Sequence, residues 1–195
     1  MEYNIFVNVL TSLQRLFVGY IAAAVLGIFF GLIIGINPLA YQILKRLLQI
    51  AHSILPIALL PIALIAFQQI EPAAFIVVFF SAFWSIILDT ARGMRQFRQK
   101  GNSYRTVLYH IFNALRSAIW IAWFTVIATE MLIGKQGLGF VLWSAYNSRN
   151  INSIILAIFY TSIISFLLDQ LLDIIGYFLS QIVLDGKPKD EGASK

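Results

Sequence analysis

The sequence predicts an all-α protein, a polytopic membrane helical bundle of about five transmembrane helices. Two compositional facts and one pattern carry this. The chain of 195 residues is 59% hydrophobic and only 12% charged, where soluble domains carry roughly 25% charged residues. Its mean hydropathy is +0.81. Several uninterrupted apolar runs approach the roughly 20 residues a helix needs to cross a bilayer, whereas a β-barrel would show segments of about ten residues alternating in polarity. There is no cysteine, which excludes disulfides, thiolate metal sites and cysteine nucleophiles. The net charge of +5 fits a bias of cations toward one side of a membrane better than a nucleic-acid partner.

The first span is expected at about 13–36, LQRLFVGYIAAAVLGIFFGLIIGI. The start MEYNIFVNVL lacks the basic residues of a cleaved signal, so this run reads as a retained span. A turn at Asn37-Pro38 leads to a short stretch bearing Lys45 and Arg46, and the second apolar segment follows at about 47–69. The acidic turn IEP (70–72) precedes a third span at about 73–91. Next comes RGMRQFRQKGNSYRTVLYHIFNALR (92–116), a basic loop with six cations and no acid. A fourth span is expected at about 117–134, a polar connection at 134–150, and a long apolar stretch at 151–184. Residues 1–184 read as one transmembrane domain. The tail 185–195, which contains GKPKDEGASK, is charged and without apolar anchors, and is expected to be disordered.

Placing the basic loop in the cytoplasm puts Lys45, Arg46, its six cations, Lys187, Lys189 and Lys195 inside. Only Arg15, Lys135 and Arg149 are left toward the outside. The positive-inside bias therefore sets the N-terminus outside and the C-terminus in the cytoplasm.

Four local features stand out. Gly19, Ala23, Gly27, Gly31 and Gly35 recur every four residues, forming one stripe with almost no side-chain bulk, against which another helix packs closely. Pro56 and Pro61 lack N–H donors and clash with the preceding turn. They break the second segment at membrane depth, where freed carbonyls are tolerated only in buried or wet surroundings, so 52–68 is a candidate pathway lining. Glu130 falls about 20 Å along the fourth span. It is neutral, paired with Lys135, or a pathway residue. Asp169 and Asp173 share a helix face and, with Asp89, are expected at the cytoplasmic interface near the arginines of the basic loop. His52 and His110 lack a second ligand at metal spacing, and no catalytic, metal or cofactor site is expected.

TEMLIGKQGLGF (129–140) resembles the Ala-Glu-Met-Leu…Gly-Leu-Gly-Tyr segment of permease subunits of binding-protein-dependent ABC importers. Within that family it is similar to the branch associated with nitrate, bicarbonate, taurine and alkanesulfonates. HSILPIALLPIALIAF (52–67), LDTARGM (88–94) and FNALRSAIWIAW (112–123) resemble that branch's segments in the same order, so the resemblance covers about residues 8–184. It implies a type I importer permease bundle that works as a homo- or heterodimer. An extracytoplasmic substrate-binding protein would deliver a small anion, and cytoplasmic ATPase subunits would dock on the basic loop through Arg98, Lys100, Gly101, Ser103, Tyr104 and Arg105. Membrane lipid would surround the bundle, with a bacterial inner membrane as the default and a thylakoid or plastid membrane as alternatives.

Two departures from the family pattern are expected. The span that usually precedes the stretch near Leu10 is missing, giving five spans rather than six. RQFRQKGNSYRTVLYHI also replaces the longer coupling loop with its Glu-Ala-Ala helix and Leu-Pro pair. The implied function is a transport subunit that does no chemistry itself. The alternative is a permease-derived structural or accessory subunit of another membrane complex that has lost ATPase coupling.

Overall fold

The computed structural model describes residues 4–53, 55–100 and 104–185. Seven α-helices are found among them: α1 (Ile5–Ile36), α2 (Pro38–Ser53), α3 (Leu60–Phe67), α4 (Ile70–Lys100), α5 (Tyr104–Ile133), α6 (Leu138–Asn147) and α7 (Ile151–Asp185). Four of these, α1, α4, α5 and α7, are long and apolar enough to cross a membrane. The second predicted segment is built differently. A single 3-10 turn, Pro56–Leu59, starts on the first proline and hands over to the eight-residue α3, which carries the second proline in its first turn. A proline is accepted there because the first N–H groups of a helix have no partner within it.

Helix ends differ from those expected from hydropathy. The basic loop is largely helical, since α4 continues to Lys100 and α5 begins at Tyr104. Apolar runs report where a helix is greasy, whereas RQFRQK is rich in residues that propagate a helix well and YRTVLYHIFNALR holds no glycine or proline to stop one. The two arms of this hairpin touch at Gly93, where a Cβ would meet His110, and His110 Nε2 lies 3.1 Å from Gln96 Oε1. Ten residues of the polar connection 134–150 likewise form α6. Gly101, Ser103 and the tail beyond Asp185 lie outside the described residues.

The core is organised around α1 and α4, which run side by side. Gly19 faces Val78, Gly27 faces Ile86, Gly31 faces Thr90 and Gly35 faces Met94. A Cβ built on Gly31 would come within 2.7 Å of Thr90 Cβ and 2.8 Å of the Ile87 carbonyl oxygen. The helices can be this close only because the stripe carries hydrogen there. Leu16, Tyr20 and Ala23 of α1 meet Val78, Ala82 and Ile86 of α4 and Ala118, Ala122 and Trp123 of α5 in the main buried cluster. The Tyr20 hydroxyl donates to the Leu115 carbonyl at 2.8 Å, tying α1 to α5. Turn and start of α2 are set by Asn37, whose side-chain oxygen accepts from Leu39 N–H at 2.9 Å ahead of a proline at the first helical position.

Candidate functional site: a buried ionic clamp and a basic hairpin

At one end of the bundle, the first turns of α1 continue its small-residue stripe with polar groups. Asn8, Ser12 and Arg15 are all buried. Glu130, on the last turn of α5, is 1% exposed and faces them. Its carboxylate accepts from the Ser12 hydroxyl at 2.8 Å, from Arg15 Nη1 at 2.9 Å and from the Gly139 N–H at 3.0 Å. Arg15 reaches further, donating to the Gln136 carbonyl at 2.8 Å and through Nε and Nη2 to Glu71 in the first turn of α4.

The same cluster caps α6. The first N–H groups of a helix have no acceptor within it. Here Gly137 N–H donates to Asn8 Oδ1 at 2.8 Å, Leu138 N–H to Ser12 Oγ at 2.9 Å, and Gly139 N–H to Glu130. A carboxylate at a helix N-terminus is also favoured by the helix dipole. The glycines permit the approach. Gly137 has φ of +116°, and a side chain there would collide with the Glu130 carboxylate. A Cβ on Gly139 would run into the Ile127 carbonyl. The GKQGLGF segment is thus locked onto α1 and α5 by its own backbone.

Of the residues expected from sequence, Glu130 has Arg15 as its cationic partner, not the adjacent Lys135. Asn8, Ser12, Arg15 and Glu71 complete the cluster from outside the 129–140 segment. The signal for three of them lies in their spacing, which extends the face of Gly19 and Ala23 upward by whole turns. Pro56 is half-buried and Pro61 exposed, and the broken segment holds to the bundle through Leu60 and Ala63 against Ala73 and Val77 of α4. Among the described residues no hydrogen bond joins either proline to the clamp.

Near the middle of α5, Arg116 binds Asp169 at 2.8 Å and Asp173 at 2.7 Å, joining α5 to α7, and Asp89 pairs with Arg92 on α4. Above Arg116, α5 and α7 flank a cleft of about 380 Å³ lined by Trp120, Trp123, Phe124, Thr161, Ser165 and Asp169 among others. Among the described residues, the buried Trp123 indole N–H has no hydrogen-bond partner. Of the hairpin positions, Arg98 donates to the Ile36 carbonyl at 2.6 Å, Lys100 ends α4, and Tyr104 begins α5 with Arg105 next to it.

A bundle of long apolar helices with a broken segment and a basic helical hairpin is the architecture of a polytopic membrane protein. Comparison with known proteins makes the class specific. The family described as binding-protein-dependent transport system inner membrane component matches residues 90–181. Nitrate import permease protein NrtB of Leptolyngbya laminosa is 37% identical over 201 residues, covering 94% of this chain and 71% of that one. Bicarbonate transport system permease protein CmpB of Synechococcus elongatus is 36% identical over 188 residues, covering 87% and 68%. Taurine transport system permease protein TauC of Escherichia coli is 25% identical over 186 residues, again covering 87% and 68%. The chain belongs to the permease family of binding-protein-dependent ABC importers. It is an integral membrane transport subunit and not an enzyme, of the kind that works with an ATPase and a substrate-binding protein.

Proposed function

We propose that this chain is the membrane-spanning half of an ATP-driven importer for a small oxyanion of the nitrate or bicarbonate type. The observation that carries the substrate class is the 37% identity to a nitrate import permease across 94% of the chain. Residues 1–184 act as one transmembrane domain that pairs with a second permease copy in a bacterial inner membrane, with a thylakoid or plastid membrane as the alternatives. The cation distribution supports an outer N-terminus and a cytoplasmic C-terminus. Helix length supports the same frame. From Arg15 to Ile36 the chain rises about 30 Å as helix, close to the thickness of a hydrocarbon core, so the clamp falls at the outer boundary and the hairpin at the inner one.

In this frame Glu130 holds the outer connection in one shape where a binding protein would dock. Pro56 and Pro61 leave backbone carbonyls for the pathway, and the exposed Pro61 face turns toward the second copy. The α5–α7 cleft adds the hydroxyl side chains of Ser162 and Ser165 to the pathway beside the Arg116-paired Asp169, a lining that holds a monovalent oxyanion weakly enough for it to leave. The stretch from Arg98 through Lys100, Gly101, Ser103, Tyr104 and Arg105 is the ATPase contact. A pull-down of the tagged full-length chain in mild detergent, with partners identified by mass spectrometry, tests this. The expected outcome is an ATPase subunit that is lost when 98–105 is replaced by a neutral linker. Recovery of another membrane complex and no ATPase would overturn it.

A further inference from the structure

Beside the hairpin lies a second basic feature, which shares only the cation Arg98 with the ATPase contact proposed above. A pocket of about 250 Å³ opens between the end of α1, the start of α2 and the last turns of α4, lined by Gly35, Ile36, Pro38, Arg95, Arg98 and Gln99. Its two arginines are held in place by unlike contacts. Arg98 binds the Ile36 carbonyl at the C-terminus of α1, and the Arg95 guanidinium lies 4.5 Å from the centre of the Tyr41 ring on α2. A guanidinium carries five N–H donors, and Arg98 places one of them on Ile36. Among the described residues no carboxylate pairs with either arginine.

The helix that walls this pocket is amphipathic. Leu39, Ile43 and Leu47, one turn apart, are 69%, 61% and 59% exposed, and Lys45 and Arg46 are exposed as well. Such a helix, carrying cations beside an uncovered apolar face, rests in the interface of a bilayer. The pocket sits at Ile36, where the membrane-spanning α1 ends, so its arginines are level with lipid headgroups rather than with the tip of the hairpin.

We propose that Arg95 and Arg98 bind the phosphate of an anionic phospholipid, with Lys45 and Arg46 adding to the local positive field and the acyl chains lying along Leu39 and Ile43. Basic pockets between membrane helices on the cytoplasmic side take headgroups in this way, and a guanidinium fork matches phosphate oxygens in pairs. The lipid covers the apolar face of α2 and fixes the root of the hairpin. The site rests on the orientation proposed above only for naming the leaflet, and it does not depend on transport.

The test is native mass spectrometry of the purified full-length chain titrated with phosphatidylglycerol or with phosphatidylcholine. Wild type is expected to retain the anionic lipid roughly tenfold better. R95Q/R98Q, checked for monodisperse elution, is expected to bring the two lipids to parity, while K135Q/R149Q, which removes equal charge at the other end, keeps the preference. Should the double variant not fold, R95Q alone decides, with an expected loss of about threefold. Equal retention of both lipids by wild type, or an undiminished preference in R95Q/R98Q or in R95Q, would overturn the proposal. Displacement of the lipid by inorganic phosphate at equal concentration would also overturn it and reassign the pocket to a soluble anion. Loss of a co-purifying ATPase in R95Q/R98Q with the lipid preference intact would make the cluster a protein contact instead.

Discussion

Arg15 and Arg116 each hold two carboxylates in the same bundle, the first beside the last turn of α5 and the second near the middle of that helix. Arg15 is 5% exposed and its partner Glu130 1%, with only Glu71 open at 53%. Arg116 and Asp173 are 47% and 46% exposed. The first group is woven into the backbone, since its members also accept the free N–H groups of α6 and the Gln136 carbonyl takes an arginine donor. The second touches no backbone group through Arg116 and simply draws α7 against α5. An arginine between two carboxylates therefore does two jobs. One sets the shape of a connection from inside the protein, and the other relieves the repulsion of two acids on one helix face.

The strongest way to break this contrast is to empty the buried triad. Glu130→Ala leaves Arg15 without its buried partner and the Gly139 N–H without an acceptor. Breaking a buried pair from one side costs about 3–5 kcal/mol, so the variant is expected to lose most of its folded yield and a large part of its thermal midpoint in detergent. Glu130→Gln keeps the hydrogen bonds to Ser12 and Gly139 and should fall between Ala and wild type. Glu71→Gln, at the open end of the triad, should shift the midpoint least. A midpoint unchanged in Glu130→Ala would show that the clamp contributes nothing to holding α6.

The clamp can form only if α1 lies close on α4, because Arg15 must reach Glu71 and Glu130 together. Gly31→Leu tests that dependence from a distance. Its first side-chain carbon would already overlap Thr90 and the Ile87 carbonyl, and overpacking of this kind costs about 1–3 kcal/mol or more. Gly176→Ala in α7 is the matched control. There a Cβ would sit 3.6 Å from Phe112, an ordinary contact, and the better helix former is expected to stabilise by about 0.5–1 kcal/mol. Thermal unfolding of the pair side by side separates close packing from the general effect of removing glycine. Equal midpoints would mean that the stripe is not what brings α1 and α4 together.

What could be read from sequence follows the range of the interaction. The long apolar runs and the paired prolines act on their own neighbourhoods, and the helices and the break at Pro56 appear where those residues stand. Glu130 was legible as costly but not as solved, because its partner lies 115 residues away on α1 while Lys135 lies one turn away. The useful clue was that Asn8, Ser12 and Arg15 prolong the Gly19–Gly35 face, so polar groups there point at whatever helix the glycines admit. Helix ends differ from the hydropathy expectation for another physical reason. The charged stretches of 92–116 leave the greasy zone without leaving the helix, as α4 through Lys100 and α5 from Tyr104 show. In the same way Gly137 marked a turn that was visible, while the Leu-Gly-Phe-Val-Leu-Trp run after it was helical and passed for connection.

The smallest expected effect belongs to the exposed triad, and it sharpens the contrast by its dependence on salt. Arg116→Gln leaves Asp169 and Asp173 facing each other one turn apart on α7, where like charges repel modestly. At low ionic strength the thermal midpoint should drop slightly, and raising salt toward 1 M, where charges a few Å apart are already screened, should close the gap to wild type. Asp173→Asn in the Arg116→Gln background removes one of the two repelling charges and should restore most of the loss. Glu130→Ala would show no such rescue by salt, because ions do not reach a pair sealed between three helices. A salt-independent defect in Arg116→Gln would instead place this pair out of reach of the solvent, against a partner that covers the α5–α7 cleft.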